Sequence, residues 1–201
     1  MRAFFLALLG VVVFGFQAAA APVIGKAAPD FTAQDIAGAT VKLSALKGKI
    51  VVLEWNNPGC PFVKKFYGAG AMQSLQNELK ENGTVWITVN SGAEGKQGYM
   101  GNEEAKTYVS SVGGAANHYI LDPEGKIGRL YGAKTTPHMF VVDSKGNLAY
   151  MGAIDDKATA DSADIAAAKN YVRAAVSALR EGKPVEQAST QAYGCGVKYK
   201  D

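Results

Sequence analysis

The chain has 201 residues, of which 48% are hydrophobic, and carries 21 Lys+Arg against 18 Asp+Glu for a formal net charge of +3. This length and composition indicate one globular domain, and they exclude a disordered chain, a collagen-like fibre and a small disulfide-stabilised toxin. Because the net charge is mild and no run of five like charges occurs, the sequence gives no support for nucleic-acid binding.

The N-terminus predicts a secretory signal peptide over residues 1–20. Arg2 supplies a positive charge, residues 3–16 form an unbroken apolar run, and small residues follow that suit cleavage near Ala20. The run is shorter than the about 20 apolar residues of a transmembrane helix, so no stable membrane insertion is expected after cleavage. An uncleaved anchor is the alternative. We expect export to the periplasm or the extracellular space, where two cysteines tend to pair or to do chemistry.

The first predicted element after the signal peptide is a short β-hairpin. Phe31 leads its first arm, and residues 35–38 form the turn. Val41 and Leu43 alternate with polar residues along the second arm.

Two buried strands and a helical segment follow. Residues 50–53 and 84–89 are rich in aliphatic and β-branched side chains, a pattern typical of strands buried on both faces. The intervening residues 61–81 have a helical pattern. Because Gly68 and Gly70 interrupt it, a kink or two short helices are expected.

The second half of the chain predicts further elements in this order: a helix over 102–112 with Asn102 as its N-cap, a strand over 119–121 with a turn over 122–125, a hairpin of strands over 139–142 and 148–151, and an amphipathic helix over 163–181. The whole pattern indicates an α/β sheet with helices on both faces. Residues 185–201 form a polar, irregular C-terminal tail that carries Cys195.

The strongest functional signal is a cysteine between a buried strand and a helix. Cys60 follows the turn Asn57-Pro58-Gly59, and Pro61 suits the first position of a helix. A helix N-terminus stabilises a thiolate through its unpaired N–H groups and dipole. The thiolate is the nucleophile in disulfide exchange and in attack on peroxides, so Cys60 is the candidate nucleophile; a small buried space-filling cysteine is the alternative.

Three segments resemble exported thioredoxin-fold redox proteins of the TlpA/ResA and AhpC/TSA ("redoxin") group. They are VVLEWNNPGCPFV, the N-terminal APDF…GATVKLSALKGK, and GRLYGAKTTPHMFVVDSKGNL. The resemblance implies a thioredoxin-like α/β fold: a central mixed β-sheet flanked by helices, with an extra N-terminal hairpin, over residues 21–184. It also implies a cis peptide bond between Thr136 and Pro137, facing Cys60, where the backbone receives an extended substrate.

The sequence departs from three mechanisms found among such proteins. Val63 stands where thioredoxins have the second cysteine of CxxC. Asn57 and Leu53 stand where peroxiredoxins have Thr or Ser and Pro, although Asn57 could still donate a hydrogen bond to a bound oxygen. Lys64 replaces the second cysteine of copper-delivering Sco-type relatives.

Cys195 is the candidate for the missing second thiol. Glycines on both sides predict a mobile tail that lets Cys195 resolve a sulfenic acid or mixed disulfide on Cys60, after which an external thiol reductant resets the bridge. A permanent structural Cys60–Cys195 disulfide is the main alternative, because closing so long a loop could stabilise the fold by about 4–5 kcal/mol. A free or intermolecular thiol is a further alternative.

Two other residues lie near these cysteines in the predicted fold. Glu54 stands where thioredoxins keep a buried acid, and a carboxyl with a pKa raised by burial could relay protons. A carboxylate bonded to its neighbours is an equal alternative. His138 could complete a Cys–His–Cys copper site, but the spacings match no zinc pattern, so neither metal nor cofactor is predicted.

The sequence therefore predicts an exported thiol-based oxidoreductase. Cys60 is the nucleophile, Cys195 the resolving thiol and Glu54 a possible proton relay. The substrate is bound by Thr136, Pro137 and Asn57. The substrate is a protein disulfide or a small hydroperoxide, and the partner an external thiol reductant. The rival hypothesis is a binding protein on the same fold, holding copper or a protein partner.

Overall fold

A five-stranded mixed β-sheet forms the centre of the protein in a computed structural model that describes residues 21–201. The predicted signal peptide lies outside the described residues. The sheet order is β5-β4-β3-β7-β8, with these strands: β3 Val51–Trp55, β4 Val85–Asn90, β5 His118–Leu121, β7 His138–Val142 and β8 Leu148–Gly152. β3, β4 and β5 run parallel, whereas β7 and β8 pair antiparallel.

Two small pairs of strands complete the β structure of residues 21–201. β1 and β2 form the predicted N-terminal hairpin, and β6 pairs with β9 at the C-terminal tail: β1 Thr32–Gln34, β2 Thr40–Lys42, β6 Thr135–Thr136 and β9 Cys195–Gly196. Leu43, predicted on the second arm of the hairpin, instead opens a short 3-10 helix and is buried against the sheet.

In the described part of the chain, five α-helices surround the sheet: α1 Pro61–Gly68, α2 Ala71–Glu81, α3 Asn102–Ser111, α4 Lys126–Tyr131 and α5 Tyr171–Arg180. Side chains of α1, α2 and α5 pack on one face of the sheet, whereas the hairpin and α4 cover the other. The segment 61–81 was expected to form either a kinked helix or two short helices. It forms two helices, because Gly70 adopts a positive φ of 71° between them. Within residues 21–201, no helix is both long and apolar enough to cross a membrane.

Three predictions of helices need correction. The helix predicted over 163–181 divides, because Asp161 caps a 3-10 helix over Ser162–Ala167 and Asn170 accepts a hydrogen bond from Arg173 to start α5. The N-cap of α3 is Gly101 rather than Asn102. Helix α4 was not predicted, since its six residues are too few to show a periodic pattern.

Candidate active site

The turn after β3 places Cys60 immediately before α1. The Asn57 side-chain oxygen accepts the Gly59 N–H (2.8 Å), and the Asn57 carbonyl accepts the Cys60 N–H (3.0 Å). Cys60 is the N-cap of α1 and Pro61 is its first residue, as the sequence predicted. The turn therefore fixes the thiol at the positive end of the helix.

The cis-proline loop lies against this thiol. The Thr136–Pro137 peptide bond is cis, as the resemblance implied. The Cys60 thiol donates a hydrogen bond to the Thr136 carbonyl at 3.0 Å, and the side chain of Cys60 is fully buried. The structure thus brings the candidate nucleophile and the candidate substrate-positioning backbone into direct contact.

Cys195 reaches the same place from the C-terminal tail. In the β6–β9 pair, Cys195 lies opposite Thr136, and the Val197 N–H donates to the Lys134 carbonyl at 3.0 Å. Gly194 has a φ of +134°, and a Cβ there would overlap the Thr136 carbonyl oxygen. The glycine allows a close approach of two backbones, and strand pairing holds the segment there; the mobility inferred from the flanking glycines stays a prediction.

Cys195 packs against the buried cluster that contains Cys60, and the two thiols have opposite pKa shifts. Burial raises the pKa of Cys60, but hydrogen bonds from the Cys195 and Thr136 side chains and the Val63 N–H outweigh it and leave the pKa lowered. Burial raises the pKa of Cys195 to about 11, and both its hydrogen bond to Cys60 and the negative charge there add to the rise. Of the two thiols, Cys60 is therefore the one that loses its proton at the lower pH.

Glu54 occupies the buried position beneath α1. Its carboxylate is fully buried and accepts hydrogen bonds from five side chains: Asn56, Tyr67, Gln76, Trp86 and Thr88. Burial raises the pKa of Glu54 and these hydrogen bonds oppose the rise. Among the described residues, neither cysteine donates to Glu54, so the structure joins this carboxylate to the helices and strands around it.

Asn57 supports the turn with both ends of its side-chain amide. The oxygen accepts from Gly59, and the nitrogen donates to the Gln97 carbonyl at 3.1 Å. The residue is buried. The hydrogen bond to a substrate oxygen that the sequence suggested would compete with these contacts.

His138 lies on the face of the sheet away from Cys60. Its ring packs on Phe140 at 4.5 Å between centroids, and its Nδ1 accepts the Lys134 N–H at 3.2 Å. Burial lowers the pKa of His138 to about 4, so the ring is neutral at pH 7. Over residues 21–201 no group of three or more His, Cys, Asp or Glu side chains could hold a metal ion. The Cys–His–Cys copper site considered from the sequence is therefore not formed.

Sequence reasoning missed how the tail is held against α1. The Tyr193 ring packs edge-on against Phe62 at 5.8 Å between centroids, and its hydroxyl donates to Asp155. Two tyrosines flanking the tail cysteine, Tyr193 and Tyr199, were the available signal, since aromatic side chains in a polar segment need a surface to pack on.

The family model that matches the chain describes the AhpC/TSA family and covers residues 24–151. No curated protein matches the chain.

Solved structures share the fold. An uncharacterized conserved protein from Geobacillus kaustophilus has a TM-score of 0.76 at 25% identity, over 89% of this chain and 93% of its own. A candidate thiol:disulfide interchange protein DsbE from Chlorobium tepidum has a TM-score of 0.53 at 27% identity, over 65% of this chain and 85% of its own. The thioredoxin domain of a thiol-disulfide oxidoreductase from Bacteroides vulgatus has a TM-score of 0.52 at 21% identity, over 64% and 87%. The expected fold, thioredoxin-like with an extra hairpin, is confirmed.

Proposed function

The chain belongs to the AhpC/TSA family and has a thioredoxin-like fold, and from this premise we propose that it is a thiol–disulfide oxidoreductase whose redox couple is Cys60 and Cys195. The observation that carries the proposal is that both cysteines meet at Thr136: the Cys60 thiol contacts its carbonyl, and Cys195 pairs with it in the β6–β9 ladder. Thr136 and Pro137 position the substrate, because the Thr136 carbonyl already contacts the Cys60 sulfur.

The proposed reaction moves two electrons from the protein to a substrate disulfide. The Cys60 thiolate attacks one substrate sulfur; a mixed disulfide forms, and the other sulfur leaves as a thiolate that takes a proton from solvent. Cys195 then loses its proton and attacks the Cys60 sulfur, which releases the second substrate thiol. The substrate is reduced, the protein holds a Cys60–Cys195 bridge, and an external thiol reductant restores both thiols.

The two pKa shifts give these steps an order. The negative charge on Cys60 contributes to the raised pKa of Cys195. When Cys60 enters a mixed disulfide, that charge disappears, so the pKa of Cys195 falls and its thiolate fraction rises. Cys195 thus becomes a nucleophile at the step where it is needed.

Asn57 favours a disulfide over a hydroperoxide as substrate. Reduction of a peroxide requires hydrogen-bond donors that hold the two oxygens while charge develops on the leaving one. The Asn57 amide, the donor expected three residues before the cysteine, is engaged with Gly59 and Gln97. We therefore propose disulfide exchange as the activity.

We further propose that residues 1–20 are removed on export, that 21–184 form the redox domain and that 185–201 act as its redox-active tail. The intact mass of protein recovered from an exporting host tests the first boundary. A mass matching a chain that begins at Ala21 supports it, and retention of Met1 contradicts it.

The activity is tested by single-turnover reduction of oxidised glutathione, followed by non-reducing peptide mapping. The full chain should consume one equivalent of disulfide and end with a Cys60–Cys195 bridge. Cys195→Ser should stop at a mixed disulfide on Cys60, and Cys60→Ser should not react. A bridge that glutathione cannot reduce would make the disulfide structural, and faster oxidation by hydrogen peroxide than by disulfide would make the protein a peroxidase.

A further inference from the structure

The last residues of the tail place Tyr199 in a fitted pocket on α4. A Cβ at Gly125 would lie 2.6 Å from the Tyr199 ring, and one at Gly128 would overlap the Tyr199 hydroxyl. That hydroxyl donates to the Ala133 carbonyl at 2.8 Å, and the Arg129 guanidinium lies 4.7 Å from the ring centroid. The two glycines therefore leave room for the ring and its hydroxyl, the carbonyl accepts from the hydroxyl, and the cation lies over the ring. We call these four residues the tyrosine pocket.

The tyrosine pocket is built on the rigid core. The Asp122 carboxylate accepts the Gly128 N–H at 2.9 Å and the Ser91 hydroxyl at 2.7 Å. Ser91 in turn accepts the N–H of the Trp55 side chain, at the end of β3. The pocket floor is therefore tied to the same strand that leads to Cys60, and its distance from the thiol is fixed.

Backbone contacts set the spacing between the cysteine and the tyrosine of the bound segment. Cys195 lies opposite Thr136, Val197 donates to Lys134, and the Lys198 carbonyl accepts the Ala93 N–H at 2.8 Å. The chain thus runs along the groove with a ring four positions after the sulfur. Any extended segment with the same spacing can repeat these contacts, since the backbone groups carry no side-chain preference.

The tail also closes the route to Cys60. The Cys60 side chain is fully buried, so a protein disulfide reaches its sulfur only when the tail leaves. The end of the tail is held by ion pairs of exposed side chains, such as Lys96–Asp201 at 2.8 Å, which contribute little to stability. Once the tail has left, the Lys134 and Ala133 carbonyls and the Ala93 N–H are free to form hydrogen bonds with another segment.

We propose that the tyrosine pocket is a recognition site for an aromatic residue four positions after the reactive cysteine in an extended segment of a partner protein, and that Tyr199 fills it when no partner is bound. This proposal rests on the proposed disulfide-exchange function. The partner segment replaces the tail along Thr135–Thr136 and inserts its own ring between Gly125 and Gly128, and the tail returns with Cys195 for the second step of the proposed reaction.

The test uses the full chain carrying Cys195→Ser and Tyr199→Ala, which empties the pocket and removes the competing thiol. The probes are the peptide AYGCGVKYKD and the same peptide with alanine replacing its second tyrosine, each joined at its cysteine to thionitrobenzoate. Cys60 attacks the peptide sulfur, the peptide–Cys60 disulfide forms, and thionitrobenzoate leaves with the electron pair and is measured by absorbance. Rates are divided by the rate with dithionitrobenzoate, so that a general change in reactivity or folding cancels.

The tyrosine peptide should react about tenfold faster than the alanine peptide. Adding Gly128→Ala, which fills the pocket, should abolish the difference, and with Tyr199 retained in the Cys195→Ser chain the preference should shrink. Equal rates of the two peptides on the emptied chain would overturn the proposal. If dithionitrobenzoate itself fails to react at neutral pH, that result would contradict the proposed disulfide-exchange function, and with it the recognition site that rests on this function.

Discussion

Gly194→Ala should release the tail from the cis-proline loop. An alanine at a φ of +134° is strained, and its Cβ would overlap the Thr136 carbonyl oxygen, which belongs to the backbone and cannot rotate away. We expect the substitution to disfavour docking by about 2–3 kcal/mol, equivalent to a shift of roughly 30- to 150-fold in the docking equilibrium. A strand pair of two residues a side has little stability with which to resist this change.

The assay is the rate at which iodoacetamide alkylates Cys60, followed by peptide mass spectrometry in the reduced protein. Gly194→Ala should raise that rate at least tenfold, because the sulfur is fully buried beneath the docked tail. Gly196→Ala is the matched control, since the nearest atom to its Cβ is the Lys134 oxygen at 4.0 Å. Equal alkylation rates in the two variants would refute the conclusion that the tail shields Cys60.

Three further predictions follow from the pKa shifts. Cys195→Ala should raise the pKa of Cys60, because it removes a hydrogen-bond donor to the thiolate, and Cys195→Ser should raise it less; the pH profile of alkylation checks this. Burial raises the pKa of Glu54 in the fold above its ordinary value of 4.5. The contribution of Glu54 to the free energy of unfolding therefore falls as the pH rises from 4.5 to that raised pKa. Urea unfolding should show this slope in the wild type and not in Glu54→Gln. Burial raises the pKa of Asp35, but hydrogen bonds, above all the one to His118 at 2.7 Å, outweigh it and leave the pKa lowered. Asp35→Asn should therefore lower the free energy of unfolding by about 1–3 kcal/mol at pH 7. This loss of stability should become smaller as pH falls below 3.8, where the Asp35 carboxylate takes up its proton. Equal losses at pH 7 and below pH 3.8 would contradict the prediction.

The features that the sequence predicted are those encoded by contiguous residues. The buried strand before Cys60, the turn after it and Pro61 together specify a thiol at a helix N-terminus, and the structure has it there. This placement depends on local backbone preferences, which single positions display directly. The cis bond between Thr136 and Pro137 was implied only by the resemblance of the TTP segment to the redoxin group, and the structure has it.

What the sequence could not predict depends on contacts between distant segments. His138 follows the cis-proline, but strand alternation turns its ring toward Phe140 and away from Cys60. The tail has no periodic pattern, and its position is set by the fit of Gly194 and Tyr199 to surfaces that exist only in the fold. Gly194, from which the sequence indicated only flexibility, also allows the close packing of the tail.

The central claim is that Cys60 and Cys195 form a reversible redox couple. The most direct test is the reduction potential of their bridge, measured by equilibrating the full chain in glutathione buffers of defined potential and quantifying the bridged peptide. We predict a potential above about −300 mV, within the range that thiol reductants can cycle. A bridge that stays closed to below about −300 mV would make it structural, and failure of the bridge to form would remove Cys195 from the mechanism.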